Sequence, residues 1–176
     1  MGGLKYVARA VNNKLIVALR TIGTQQATAT ANTNTEINQL LDYVATYPDN
    51  GILFRASGML LAAHADVGFL NKIKARSRSG AHIFLTKDVA TPPLNGSILK
   101  ISKIIKPVMA PTAEAELVAL YLTFKTTAPI RNTLEEMGWT HLKSPIQIDN
   151  STAAGFTNNT MINKAIKSLD MKLWWL

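Results

Sequence analysis

A change of texture after Gly51 constrains the fold of this 176-residue chain more than any other feature. Residues 52–54, 59–67, 82–85 and 97–105 are short apolar segments divided by Gly, Pro, Ser and Asn. Runs of that length, bounded by turn formers, read as strands in an antiparallel meander. Pro92-Pro93-Leu94-Asn95-Gly96 is the clearest hairpin connection, with Asn-Gly supplying positive-φ residues. Helical spacing follows at Ala113, Leu117, Leu120, Tyr121 and Phe124 and is expected to end before Pro129. Residues 130–137 predict a second helix, stopped by Gly138. Residues 145–148 form a short apolar strand that leads directly onto Asp149-Asn150. Ile162, Ile166, Leu169, Leu173 and Leu176 trace one stripe of a terminal helix. Strands, helices, strand, helix: this order describes an α/β domain with a mixed sheet, antiparallel meander first and helices flanking it.

Upstream the pattern is helical. Leu4, Val7, Ala8, Val11, Leu15, Ala18 and Leu19 keep helical spacing, with Asn12-Asn13 dividing the run in two. Residues 25–34 are polar, rich in Thr and Ala, and read as a linker. Thr33 and Glu36 then have capping-box spacing, and Ile37, Leu40, Leu41 and Val44 form an apolar face. Pro48-Asp49-Asn50-Gly51 closes that helix in a turn. The expected organisation is a helical appendage over 1–50 and an α/β domain over 51–176.

Composition narrows the function classes. Hydrophobic residues make up 47% and charged residues 17%, enough apolar material for a packed core. No apolar run is long enough to span a bilayer, and Met1-Gly2-Gly3 leads into no signal-peptide core, so an intracellular protein is expected. The absence of cysteine removes disulfides, thiolate metal sites and cysteine nucleophiles together. Nineteen Lys and Arg against eleven Asp and Glu give a net charge of +8, which favours a polyanionic partner such as nucleic acid.

In so acid-poor a chain the positions of the carboxylates are informative. Asp66 follows the apolar strand over 59–65, Glu116 opens the helix after the third strand, and Asp149 lies at the carboxyl end of the later strand. Side chains at strand ends converge beyond a sheet edge, where sites assemble. Three carboxylates there can hold two divalent ions, because Mg²⁺ takes hard oxygen ligands and keeps several waters. Two such ions activate water and stabilise a leaving oxygen in phosphodiester cleavage. Singly, each acid also has an ordinary structural explanation: turn or cap for the aspartates, helix dipole for the glutamate.

Lys72, Lys74, Arg76 and Arg78 alternate across the first hairpin, which puts them on one face if the strand extends that far. They are the candidate contacts to a nucleic-acid backbone. Lys100, Lys103 and Lys106 read as surface charge. His64 and His82 read as half-buried strand residues, too far from His141 in sequence for a metal cluster. Trp174-Trp175 reads as core packing.

Several motifs occur together and in order. Ala65-Asp66-Val67-Gly68-Phe69-Leu70 is followed by Arg76-Ser77-Arg78-Ser79-Gly80, then Ser102-Lys103. Thr112-Ala113-Glu114-Ala115-Glu116-Leu117, Asp149-Asn150-Ser151-Thr152-Ala153 and Lys167-Ser168-Leu169-Asp170-Met171-Lys172 complete the series. In this series the chain resembles the ribonuclease H domain of copia-type retrotransposon polyproteins. Tyr6-Val7-Ala8-Arg9-Ala10 and Leu40-Leu41-Asp42-Tyr43 resemble the segment that joins reverse transcriptase to it. The resemblance implies a ribonuclease H-like fold and hydrolysis of the RNA strand of RNA–DNA hybrids. It also implies catalytic, metal-holding roles for Asp66, Glu116 and Asp149, with Mg²⁺ or Mn²⁺ as cofactor. Glu116 is preferred to Glu114 because the family's catalytic glutamate precedes an apolar residue, here Leu117. The implied partners are hybrid nucleic acid and the rest of the polyprotein, reverse transcriptase included, in cytoplasm or nucleus and without a membrane.

The match has departures. Val67, Gly68 and Pro111 differ from the family's residues, and the fourth catalytic carboxylate, expected beyond a fifth strand, is not among the residues up to Leu176. Asp170 falls on the helix before it. These departures leave a second expectation: a weak or inactive nucleic-acid-binding remnant, its last strand and helix missing.

Overall fold

The computed structural model describes residues 2–72, 75–89, 91–109, 112–140, 143–149 and 154. The terminal stripe from Ile162 to Leu176, Asp170, Trp174, Trp175, His141, Lys74 and Pro111 therefore lie outside the described residues. The chain divides into two compact units, Met1–Phe54 and Arg55–Leu176. Among the described residues, no helix is long and apolar enough to cross a membrane.

The first unit holds α1 (Gly2–Ala10), α2 (Ile16–Thr24) and α3 (Ala31–Thr46), with 3₁₀ turns at Asn13–Leu15 and Gln26–Thr28. Asn12 divides the first two helices as its type suggests: its Oδ1 accepts from the backbone N–H of Lys14 and caps the short turn. Ala8, Leu15, Ile16, Leu19, Ile22 and Leu40 form the core, with Val7, Ile37 and Val44 packed on it. Leu41, expected on the same face, is instead exposed.

The polar stretch 25–34 is not a linker. It contains the second 3₁₀ turn and the first turn of α3. The capping box also sits three residues earlier than its spacing suggested. Thr30 is the cap: its Oγ1 accepts from Thr33 N–H, and its own N–H donates to Thr33 Oγ1. Glu36, inside the helix, accepts from Gln25 Nε2 and Asn32 Nδ2 instead. Thr30-Thr33 and Thr33-Glu36 have the same spacing and overlap, and the extended backbone at Thr30 selects the first.

The second unit is an α/β structure with a mixed four-stranded sheet in the order β3-β2-β1-β4. β1 (Leu60–Lys72), β2 (Arg76–Thr86) and β3 (Ser97–Ile104) form the antiparallel meander, and β4 (Ile146–Gln147) lies parallel to β1. Residues 52–54 are not a strand; Leu53 and Phe54 are exposed. The β2–β3 connection is not built on positive φ at Asn95-Gly96. The Asn95 side chain holds it: Oδ1 accepts from Arg55 and Gly96 N–H, while Nδ2 donates to the carbonyls of Arg55 and Leu85.

One helix, α4 (Thr112–Glu136), crosses the sheet where two were expected, with Pro129 inside it. Proline removes one helical hydrogen bond, but both halves are fastened to the sheet. Ala115, Val118 and Ala119 pack with Val67, Ile105 and Met109; Ile130 and Leu134 pack with Leu61, Ala63 and Ile83. Burial on both sides of the proline outweighs the missing bond. Gly138, at φ +93°, ends the helix as expected: its N–H donates to Glu135 O and Trp139 N–H to Leu134 O. The helix thus carries the chain from β3 at one edge to β4 beside β1, which is what sets the site.

Candidate metal centre

Alternation along β1 puts Leu61, Ala63 and Val67 beneath α4 and leaves Asp66 on the opposite side of the pleat. Asp66 is in the middle of β1, not at its end, because the strand runs on to Lys72. Its directly paired neighbour on β2 is Gly80, which has no side chain to cover the carboxylate. The Arg76-to-Gly80 motif is accordingly strand rather than turn. Asp66 is exposed.

Asp149 reaches the same place by a different route. Ala63 pairs with Ile146 and His64 with Gln147, and Ala63 N–H donates to Pro145 O at 3.0 Å. Asp149 lies two residues past the last bridged position of β4, as Asp66 lies two residues past that of β1. The short parallel pairing therefore sets the two aspartates level. Asp149 is also exposed.

Glu116 comes from the second turn of α4 and is 3% exposed, flanked by buried Ala115 and Leu117. Glu114, in the first turn, is half-buried and outside the cluster. Carboxylate oxygens of Asp66, Glu116 and Asp149 all lie within 4.8 Å of one another. Burial, then the neighbouring Asp149 and Asp66 charges, push the Glu116 carboxyl up to about 7. Glu116 Oε2 is buried without a hydrogen-bond partner among the described residues. A polar atom in that state is costly. The donor set is all hard oxygen and crowded with negative charge, which suits a divalent cation such as Mg²⁺.

The basic residues do not form the exposed row that alternation suggested. Arg78 is 8% exposed, and its Nη1 donates to Ser102 Oγ at 3.0 Å across β3. Arg76 is half-buried and paired through its backbone with Lys72; Lys74 is outside the described residues. A register shift between Gly68 and Lys72 interrupts the strand pattern on which the alternation depended. Lys103 and Lys106 are exposed; Lys100, half-buried, has its ammonium pushed below its ordinary value by burial.

The sequence reading missed the histidine cluster on the Asp66 side of the sheet. His64 and His82 pair across the strands, and both rings rest near Phe84 at centroid distances of 5.3 and 5.1 Å. His82 Nε2 lies 3.0 Å from Asn95 O, and burial holds its pKa below the ordinary value. Equal distance from the hairpin turn was the available signal, since it makes positions 64 and 82 cross-strand partners.

No known family profile and no solved structure matches the chain. Among characterised proteins it is similar to the retrovirus-related Pol polyprotein from transposon TNT 1-94 of Nicotiana tabacum, at 24% identity over 140 residues. That alignment takes in 80% of the chain and 10% of the polyprotein. The likeness supports an origin in a retrotransposon polyprotein, and the chain spans about a tenth of that relative's length.

Proposed function

We propose that this chain is a ribonuclease H-type hydrolase of a copia-type retroelement, cutting the RNA strand of RNA–DNA hybrids with divalent metal held by Asp66, Glu116 and Asp149. The observation that carries this reading is the convergence of three carboxylates from β1, α4 and the segment after β4 to within 4.8 Å. Like charges so close repel, and one of them is buried, so the cluster weakens the fold unless a cation or a proton neutralises it. An arrangement that costs stability and draws on residues as far apart in sequence as Asp66 and Asp149 calls for a function. The topology agrees: an antiparallel meander, a crossing helix and a parallel strand beside β1 are compatible with a ribonuclease H-like fold.

Mg²⁺, or Mn²⁺ in its place, would be held by the three carboxylates, with Glu116 Oε2 gaining the partner it lacks. When bound, such ions supply activation of the attacking water and stabilisation of the leaving oxygen. The chain itself supplies position. Asp66 is fixed by its pairing with Gly80 on β2, Asp149 by the short β4 just before it and Glu116 by a helix packed across the sheet. Asp66 and Asp149 are open to solvent, so a phosphodiester can approach them, whereas Glu116 closes the inner side. Lys72, Lys74 and Arg76 are the proposed grips on the hybrid backbone. Arg78, buried against Ser102, ties β2 to β3.

The test is cleavage of a hybrid labelled separately on each strand. We expect RNA-strand cutting with Mg²⁺ or Mn²⁺, no cutting of the DNA strand or of duplex DNA, and loss of activity with chelator or in Asp66→Asn. Cutting that survives Asp66→Asn, or an intact hybrid with either ion, would overturn the reading.

A further inference from the structure

The first unit has a feature that the carboxylate site does not use. A cavity of about 320 Å³ between α1 and α2 is lined by Lys5, Ala8, Arg9, Ile16, Leu19, Arg20, Gly23 and Thr24. Its floor is apolar and buried: Ala8, Ile16 and Leu19 belong to the core of this unit. Its rim is cationic, and no acid among the described residues lines it. Lys5, Arg9 and Arg20 are exposed, and none makes a hydrogen bond or ion pair with a described residue.

Ordinary structural roles explain only part of this. Arg9 lies in the last turn of α1, where a cation complements the helix dipole. Arg20 lies before the last turn of α2 and has no such role. Lys5 and Arg9, one helical turn apart, repel each other. Glu36, an acid of the same unit, is engaged by Gln25 and Asn32 and lines a different groove, with Lys14 and Tyr43. Three cations thus surround one concavity with no neutralising partner among the described residues. Tyr6, 72% exposed, lies outside the lining on the same helix, three residues before Arg9. Cations that follow a backbone, with an aromatic ring next to them, are the usual equipment for holding a nucleic-acid strand.

We infer that the α1–α2 groove binds the phosphodiester backbone of a nucleic-acid strand through Lys5, Arg9 and Arg20, with Tyr6 placed to stack on a base. This goes beyond the hydrolase reading and does not depend on it, because the residues belong to the other unit and the readout is binding.

The test uses the full chain and a labelled single-stranded DNA oligonucleotide of about 20 nucleotides, which a hybrid nuclease leaves intact. Affinity is measured across a salt series for the parent, for Lys5→Gln/Arg9→Gln/Arg20→Gln, and for Lys87→Gln/Lys106→Gln/Lys125→Gln, which loses equal charge elsewhere. Each lost phosphate contact on a single strand lowers the log–log salt slope by about 0.7, so the groove variant should be shallower by about 2. The control variant should keep most of the parent slope. Tyr6→Ala should weaken binding without changing the slope. Thermal unfolding of each variant checks that these exposed substitutions leave the fold intact. Equal slopes for the two triple variants would overturn the inference. Displacement of the oligonucleotide by a free mononucleotide at equal affinity would overturn it as well, since that result describes a small-molecule pocket.

Discussion

Asp66 and Asp149 stand level on neighbouring parallel strands, each two residues past the last bridged pair, His64 and Gln147. Pairing between β1 and β4 stops just before them, so the carboxylates meet where that seam opens. Without metal they repel, and removing one charge should relieve the fold. We expect Asp149→Asn to raise metal-free stability by about 0.5–1 kcal/mol at neutral pH. With saturating Mg²⁺ the order should reverse, because bound ligand stabilises the parent by mass action. Urea unfolding with and without Mg²⁺ measures both; an unchanged order would separate Asp149 from the metal site.

Glu116 gives the cluster a pH dependence of definite sign. Its carboxyl titrates at an ordinary value of 4.5 when unfolded and at about 7 when folded. The folded state holds the proton more tightly, so this stability is fully present below about 4.5 and is lost as pH rises through about 7. We expect the metal-free unfolding midpoint to fall across that window, by no more than roughly 3 kcal/mol in free energy. Glu116→Gln should flatten the curve. A parent whose midpoint does not fall between those pH values would contradict the placement of Glu116.

The Arg78–Ser102 bond separates two kinds of basic residue in the hairpin. Arg78 is buried and hydrogen-bonded, so Arg78→Met should cost about 2 kcal/mol of stability. Arg76, partly open to solvent, should behave differently: Arg76→Gln is expected to leave thermal unfolding nearly unchanged and to weaken hybrid binding. The same loss of stability in both variants would remove the distinction.

The meander was legible because short apolar segments bounded by Gly, Pro, Ser and Asn are a local signal. Asp149 was legible for the same reason, since a short apolar strand delivers it. What was not legible depends on distant partners. The end of β1 cannot be read from residues 59–65, because its extension to Lys72 rests on pairing with β2. Arg78 looks like any surface arginine until Ser102, 24 residues away, is set beside it. Pro129 is a helix breaker by local rule, and only packing at Val118 and Leu134 together keeps the helix whole.

That last override is itself measurable. If packing holds α4 together against its proline, Pro129→Ala restores a backbone donor without disturbing the sheet contacts. We expect it to raise stability by about 1–2 kcal/mol, less than the full helix-interior penalty because proline also restricts the unfolded chain. A loss of stability would mean that the helix depends on the proline.

The most direct test of the metal centre is a Mn²⁺ titration followed by electron paramagnetic resonance. The three carboxylates should bind Mn²⁺ in competition with Mg²⁺, and Asp66→Asn, Glu116→Gln or Asp149→Asn should each weaken that binding by at least about tenfold. Undiminished Mn²⁺ binding when all three of these substitutions are combined would contradict the account.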